Sequence, residues 1–272
     1  MTVKALREIT HSHVVDFVFL LETHNVDDYV LEVMKELKFV QGFTVPPVDK
    51  AGGLSLWWSQ EYVVDIIDFS NFFIDTVVFD PVAGRKVRLT WMYGPPYPED
   101  KKEFWDSWNF NRREDDLPWC VIGDLNEMLG PHDKWGDATW NPSIHKYLND
   151  FMRSNGLMDL GFSGQNYTCA RSEGGIITLQ ERLDRALIND GWHLLWPNSH
   201  ITHLPRVGSD HCPLLLNIPL WPNRRAESAS GSNHPGQMIL MLNLSLRLVG
   251  EGTITNYPLL IGKLTLSDAE TS

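Results

Sequence analysis

The sequence predicts a layered α/β domain with two packed sheets, and three observations carry the prediction. Short runs rich in Val, Ile, Phe and Trp alternate with helical patterns over the first 219 residues. Turn residues such as Asp80-Pro81 and Ala83-Gly84 separate several of those runs at close spacing. The helical patterns fall outside the groups of strands, where they can cover a sheet.

Taken in order, Ala5 to Ser12 reads as the end of a helix, and the compact run from Asp16 to Leu21 (DFVFLL) as a buried strand. Val26 to Leu37 has helical spacing, with Val30, Val33 and Leu37 on one face and Asn25 as its cap. Gly53 to Trp58, Tyr62 to Phe69, Phe72 to Phe79 and Arg85 to Tyr93 read as strands, so closely spaced that an antiparallel meander is expected. Pro95-Pro96 ends that series. Pro98 to Asp116 reads as a helix whose charged end, RREDD, is a solvated surface. Trp119 to Gly123 is a further buried strand, and Ser143 to Asn155 a helix with Ile144, Tyr147, Leu148 and Phe151 on one face. Glu181 to Ile188 fits a short helix or a strand equally. His200 to Leu204 and Pro213 to Ile218 complete the strands. The Ser-, Asn-, Gly- and Pro-rich stretch over 221–237 reads as a linker, and residues 238–272 as a tail with weak strand patterns. The expected organisation is a main domain over 1–220, the linker, and the tail.

Composition narrows the function. The 272 residues are 43% hydrophobic and 21% charged, which is the balance of a globular chain and not of a disordered one. The formal charge is -12, and the tail from residue 222 has equal acids and bases, so the excess acidity lies in the main domain. That field excludes a histone-like polybasic binder, but not an enzyme that meets phosphate through a metal ion held by carboxylates. Cys120, Cys169 and Cys212 form no Cys-x-x-Cys pair, which argues against a disulfide scaffold or zinc ribbon and for a reducing compartment. Without an apolar secretory core near Met1 or a run of about 20 apolar residues, an intracellular place, nuclear or cytoplasmic, is expected, with no membrane partner. The 11 tryptophans are compatible with base stacking, but core packing is their commoner use.

The candidate chemistry sits where apolar strands begin or end, since a rigid sheet can aim such side chains into a common cleft. Glu22 follows DFVFLL. Tyr93 ends VRLTWMY. Asp124 and Asn126 follow WCVIG two residues apart, a spacing that puts both on one side of an extended chain. Ser209, Asp210 and His211 precede PLLLNI, and an imidazole beside a carboxylate can move protons near neutral pH. Asp184, within ERLDR, can orient a histidine or form an ordinary surface salt pair. Each of these alone also fits plain structure: a strand-to-turn junction, a turn cap or packing.

Together the phrases LLETH, MYGPP, IGDLNE, ERLDRAL and GSDHCPLLL are far more specific than any one of them. In this order the chain resembles the endonuclease/exonuclease/phosphatase superfamily. The finer wording (AGGLSLWW, RLTWMYGPP, WCVIGDLNEML, NGLMDLGFSGQNYT, HLPRVGSDHCPLLL) resembles the apurinic-endonuclease-like endonuclease domain of plant-type non-LTR (LINE) retrotransposons, over residues 3 to 219. The resemblance implies a four-layer α/β/β/α sandwich of two packed mixed sheets with outer helices. It implies Mg²⁺-assisted phosphodiester hydrolysis, with Mn²⁺ as a substitute ion, on nucleic acid, DNA rather than RNA. By motif, Glu22 would ligate the metal with help from Asp210, and Asp124 would position or deprotonate the attacking water. Asn126 and Tyr93, beside Ser209, would hold the scissile phosphate. Asp184 would orient His211, which would contact the phosphate.

Two departures accompany the resemblance. The family opens with a strand ending in an Asn that joins the metal and phosphate shell, whereas this sequence begins inside the following helix; a truncated first strand, and an unpaired sheet edge, are therefore expected. Thr168-Cys169 stands where Thr-Trp is usual. Two functions follow as alternatives: a metal-dependent endonuclease, or an inactive retroelement remnant that binds nucleic acid or a protein.

Overall fold

The computed structural model describes residues 3–243 apart from 14, 25–26, 49–51, 81–83, 111–115, 137–140, 143–144 and 220–235. The expected cap Asn25, the residues Ser143 and Ile144, most of the RREDD run, the linker over 221–235 and the tail from 244 lie outside the described residues.

Five α-helices are described: α1 (Val3–Ser12), α2 (Asp27–Glu36), α3 (Pro98–Phe110), α4 (Tyr147–Asn155) and α5 (Asp190–Leu195). The first strands are β1 (Phe17–Leu21), β2 (Gln41–Val45), β3 (Leu54–Trp58), β4 (Val63–Ser70), β5 (Phe73–Asp80), β6 (Arg85–Tyr93), β7 (Trp119–Asp124) and β8 (Lys134–Gly136). They are followed by β9 (Leu157–Asp159), β10 (Ser163–Gly164), β11 (Cys169–Glu173), β12 (Ile176–Glu181), β13 (Asp184–Asn189), β14 (His200–His203), β15 (Leu214–Pro219) and β16 (Gly236–Asn243).

One sheet has seven strands in the order β10-β14-β15-β16-β1-β3-β2, and a second has six in the order β4-β5-β6-β7-β13-β9. Alternate residues of both sheets meet between them: Phe17, Phe19 and Leu21 of β1 and Leu214 and Leu216 of β15 pack with Trp91, Ile122 and Ala186 of the other sheet. On the far face of the first sheet, Leu6 of α1 and Val30, Val33 and Met34 of α2 cover Val18, Leu20 and Trp57. On the far face of the second, Trp105 of α3 and Leu148 and Phe151 of α4 cover Val121 and Leu187. The result is the four-layer α/β/β/α sandwich with mixed sheets. Trp57, Trp91, Trp105 and Trp192 are fully buried, so much of the tryptophan content is core.

The expected meander from 53 to 93 is corrected in its first member. β3 pairs with β1 and β2 in the seven-stranded sheet, and the antiparallel meander is β4-β5-β6 in the other. The physical reason is burial: LSLWW is buried at all five positions and needs a central place, whereas β4 is half exposed and suits an edge. The segment from Glu181 to Ile188 is strand on both sides of an Arg182-Leu183 break, not helix. A small third sheet, β11-β12-β8, was not expected from the sequence.

The expectation of an unpaired edge is also corrected. β1 runs parallel to β16, from Phe17↔Ile239 to Leu21↔Asn243, and antiparallel to β3 on its other side. Residues 236–243, expected as the end of a linker and the start of a tail, thus form a central strand of the main sheet.

Candidate active site

The site assembles at one end of the sandwich, where sheet register lines up three polar residues. Tyr93 is the last residue of β6 and pairs in parallel with Asp124, the last of β7. Asp124 pairs in turn with Asp184, the first of β13. Paired residues face the same side of a sheet. Tyr93 belongs to the core between the sheets, and so do Ile122 and Ala186, two residues from Asp124 and Asp184. The row Tyr93–Asp124–Asp184 therefore faces the space between the sheets.

The close approach of β6 and β7 explains the glycine of the WCVIGD phrase. A Cβ on Gly123 would lie 1.7 Å from the carbonyl oxygen of Met92, so that only hydrogen fits there. Beyond Asp124 the chain turns sharply. Asn126 sits in the left-handed region at φ 49°, its N–H donating to Asp124 Oδ1 at 3.0 Å and its side-chain amide to the Gly94 carbonyl at 2.7 Å. Lys101 donates to the Asn126 carbonyl and ion-pairs with the fully buried Glu127 at 2.9 Å, which fixes the turn from behind.

The opposite sheet contributes Glu22, directly after β1. Its backbone is also left-handed, at φ 51°, a conformation that non-glycine residues seldom take outside functional or strained sites. Gly52 is pressed against it; a Cβ there would come within 2.6 Å of Glu22 Cα. The Tyr93 hydroxyl donates to Glu22 Oε1 at 2.5 Å, tying the two sheets together across the cleft. Burial, with the Glu22 carboxylate beside it, holds the Tyr93 hydroxyl far above the usual range, so it stays protonated and a donor.

His211 reaches the row from the segment before β15. Its Nδ1 lies 2.8 Å from Asp184 Oδ2, and Nε2 lies 3.9 Å from Asp124 Oδ2. Ligand atoms of Asp124, Asp184 and His211 all fall within 4.8 Å of one another, and all three residues are buried. Burial alone would discharge the imidazole, but the carboxylates of Asp184 and Asp124 outweigh it and raise its pKa well above the ordinary value. Asp124 is pushed up to about 7, first by burial and then by the Asp184 charge, with His211 and the Asn126 N–H opposing.

The site residues expected from the sequence fall into two groups. Glu22, Tyr93, Asp124, Asp184 and His211 converge. Asn126 stands at the rim with its side-chain amide engaged on Gly94. Asp210 is exposed and groups with Cys169 and His211 on the other flank of the imidazole; Ser209 Oγ accepts from the His211 N–H at 3.2 Å and so shapes the turn.

Sequence reasoning passed over several supports. The Thr168 hydroxyl, fully buried, accepts from the N–H groups of Leu183 and Asp184 at 3.0 and 3.1 Å and sets the start of β13. Cys169 pairs with His211 as an isolated bridge and hydrogen-bonds its side chain. Arg185, with no exposed surface, ion-pairs with Asp133 at 2.5 Å and Asp159 at 2.9 Å, while Arg182 reaches the other oxygen of Asp159 at 2.9 Å. The two arginines of ERLDR were the available signal: charged residues flanking an apolar strand stay in a core only when paired.

A cation suits this donor set. Three carboxylates, Glu22, Asp124 and Asp184, lie close enough to raise the pKa of one of them, with one imidazole to balance them. Asp184 Oδ1 is buried with no hydrogen-bond partner, which leaves an uncompensated oxygen in the cleft. Carboxylate oxygens are the ligands that hard divalent ions such as Mg²⁺ take.

A family model described as the endonuclease/exonuclease/phosphatase family matches residues 2–211. No curated protein matches the chain. Among solved structures, an AP endonuclease from Archaeoglobus fulgidus is similar at 14% identity over 80% of this chain and 94% of that one, with a TM-score of 0.61. The human Nocturnin catalytic domain with a bound sulfate anion is similar at 15% identity over 78% and 85%, with a TM-score of 0.50. The endonuclease domain of TRAS1, a telomere-specific non-LTR retrotransposon, is similar at 16% identity over 75% and 99%, with a TM-score of 0.47. At these identities the likeness is one of fold.

Proposed function

Because the chain belongs to the endonuclease/exonuclease/phosphatase family, we propose that it is a Mg²⁺-dependent phosphodiesterase acting on nucleic acid, DNA before RNA, of the retrotransposon-endonuclease kind. The observation that carries this reading is the register-aligned row Tyr93–Asp124–Asp184 with His211 bonded to its end.

By motif Glu22 would hold the ion; the unpartnered Asp184 Oδ1 and the exposed Asp210, grouped with Cys169 and His211, would be further oxygen ligands. When bound, Mg²⁺ neutralises charge on the phosphoryl oxygens. Asp124 accepts the proton of the attacking water; a pKa of about 7 suits a base working near neutrality. The water oxygen bonds to phosphorus and the ester oxygen leaves. His211, charged and held through Nδ1 by Asp184, presents Nε2 to the phosphoryl oxygen on which negative charge grows. Tyr93 keeps Glu22 in place by donating its one hydroxyl proton to that carboxylate. Asn126 holds the turn that aims Asp124, and Ser209 the turn that carries His211.

Nicking of supercoiled plasmid in Mg²⁺ or Mn²⁺ tests the reading. Loss of nicking by about 10²-fold or more in His211→Ala and Asp124→Asn is expected, and a smaller loss in Asp210→Ala. Equal nicking by wild type and all three variants would remove the assigned roles. The alternative, an inactive binding module, predicts no Mg²⁺-dependent rise in melting temperature at millimolar ion.

A further inference from the structure

The thiol of Cys169 has no part in the chemistry proposed above, yet it stands directly against His211. The backbone fixes this. Ala170 N–H donates to the Asp210 carbonyl at 2.9 Å and Cys212 N–H to the Thr168 carbonyl at 2.8 Å, one bond on each side of the pair Cys169↔His211. Bonds in those places make Cys169 and His211 a non-hydrogen-bonded antiparallel pair, the kind in which facing side chains come closest. The thiol hydrogen-bonds the imidazole. Where the domains this sequence resembles carry Trp, the residue opposite the imidazole is here a sulfur.

Asp210 completes a second donor set. Ligand atoms of Cys169, Asp210 and His211 all lie within 4.8 Å of one another, a set that shares only the histidine with Asp124, Asp184 and His211. Its donors differ in kind: one thiol, one carboxylate and one imidazole. Mg²⁺ takes oxygen ligands, whereas Zn²⁺ binds thiolate, imidazole and carboxylate alike. Zn²⁺–ligand bonds of about 2.0–2.3 Å in a tetrahedron put the ligand atoms roughly 3.3–3.8 Å apart, so the set must close by at most about 1.5 Å. Asp210 is exposed, so it can swing in, and its side gives the ion an entry path. Asp184 holds His211 Nδ1 at 2.8 Å, the carboxylate support that metal-bound imidazoles commonly have, which makes Nε2 the ligand atom. The charges of Asp184 and Asp124 act on both Cys169 and His211, a negative field that a divalent cation relieves.

We propose that Cys169, Asp210 and His211 form a Zn²⁺ site, distinct in its donors from the Mg²⁺ site, and that Zn²⁺ bound there switches off phosphodiester hydrolysis. Zn²⁺ displaces the thiol proton of Cys169 and the Nε2 proton of His211, and both pass to solvent. The ion then occupies Nε2, the atom that would meet the phosphoryl oxygen, and draws Asp210 away from Mg²⁺. The switching part rests on the metal-dependent reading above; the ion site does not.

Co²⁺ is the spectroscopic stand-in for Zn²⁺. Titrated into the full wild-type chain with a non-thiol reductant, it is expected to raise a thiolate-to-cobalt charge-transfer band that added Zn²⁺ abolishes. Cys169→Ser should lack the band and bind Zn²⁺ about tenfold or more weakly by calorimetry. Because Asp210 is exposed, Asp210→Ala tests the same site without touching the core; it should keep the band and also weaken Zn²⁺ by about tenfold or more. No band in the wild type, an undiminished band in Cys169→Ser, or unchanged Zn²⁺ binding in Asp210→Ala would overturn the site. For the switch, nicking in Mg²⁺ is measured with Zn²⁺ at about ten times its Kd, where roughly nine-tenths of the chains hold the ion. Wild type should lose about tenfold of its own Mg²⁺ rate, and Cys169→Ser much less at the same Zn²⁺ concentration. Equal losses in the two would overturn the switch and leave the ion site to the spectra. A wild type that does not nick in Mg²⁺ alone would overturn the hydrolase reading and the switch with it, while the band would still decide the ion site.

Discussion

Asp184 Oδ2 and His211 Nδ1 lie 2.8 Å apart with both side chains buried, and this contact joins the start of β13 to the segment that leads into β15 of the other sheet. It fixes the direction of the imidazole, leaving Nε2 for the cleft.

The first prediction concerns that pair. Asp184 is the leading cause that raises the His211 pKa. Asp184→Asn should therefore lower it, by about one unit or more on loss of a hydrogen-bonded buried charge. NMR titration of the His211 ring protons is the measurement, and an unmoved midpoint would show that the contact is not what charges the ring.

A second prediction turns on the sign of the Asp124 shift. Burial and the Asp184 charge push its folded pKa up to about 7, above the ordinary carboxylate value of 3.8. The folded state therefore binds this proton more tightly than the unfolded state. The cost of ionising Asp124 grows as pH rises from about 4 and is complete above about 7. Asp124→Asn removes that cost. Its melting temperature should exceed wild type by roughly 3–6 °C at pH 8, for a gain of about 1–2 kcal/mol, and by little at pH 4.5. Calorimetric scans at both pH values decide it: an equal gain at each, or a loss at pH 8, contradicts the assignment.

The Tyr93–Glu22 bond leads to a third. Tyr93→Phe keeps the ring and its packing but removes the hydroxyl that donates to Glu22 Oε1. A hydrogen bond to a charged acceptor contributes about 1.5–3 kcal/mol. Denaturant unfolding should register a loss of that order, accompanied by a higher Mg²⁺ requirement for nicking. A variant as stable as wild type would mean that the bond does not hold the two sheets together.

The fourth compares two ion pairs of opposite burial. Arg185 is fully buried against Asp133 and Asp159, whereas the Lys102–Asp106 pair is 2.7 Å long but mostly exposed. Arg185→Ala leaves the buried Asp133 with no arginine closer than Arg182 at 4.0 Å and should cost about 3–5 kcal/mol, against less than about 1 kcal/mol for Lys102→Ala. Chemical denaturation of both variants gives the comparison. Similar small losses in the two would refute the buried network as a support of β13.

Much of the architecture was legible in residue patterns. FVFLL is apolar throughout, LSLWW apart from Ser55 and WCVIGD up to its final Asp124, and each is a fully buried strand. Glu22, Tyr93, Asp124 and His211 were each marked by standing at the start or end of an apolar run, because a strand end is where backbone regularity hands over to a turn, whereas Asp184 was marked only as an acid of ERLDR able to orient a histidine. Thr168 and the Arg185–Asp133 pair carried no comparable mark. Their roles are hydrogen bonds and ion pairs between residues 15 to 52 positions apart, and local periodicity does not record a distant partner.

The sequence by itself determined most of the buried strands between residues 17 and 219, the polar residues that stand at their ends, and the order in which they occur. That information is local: side-chain period and turn chemistry follow from neighbouring residues alone. Only the tertiary structure decided that β3 leaves the meander for the other sheet, that Tyr93, Asp124 and Asp184 stand in one row, and that a strand from 236–243 lies beside β1. Those outcomes depend on which strand edges meet. Every extended segment offers the same backbone donors and acceptors, so the choice of partner is made by the packing of the whole core.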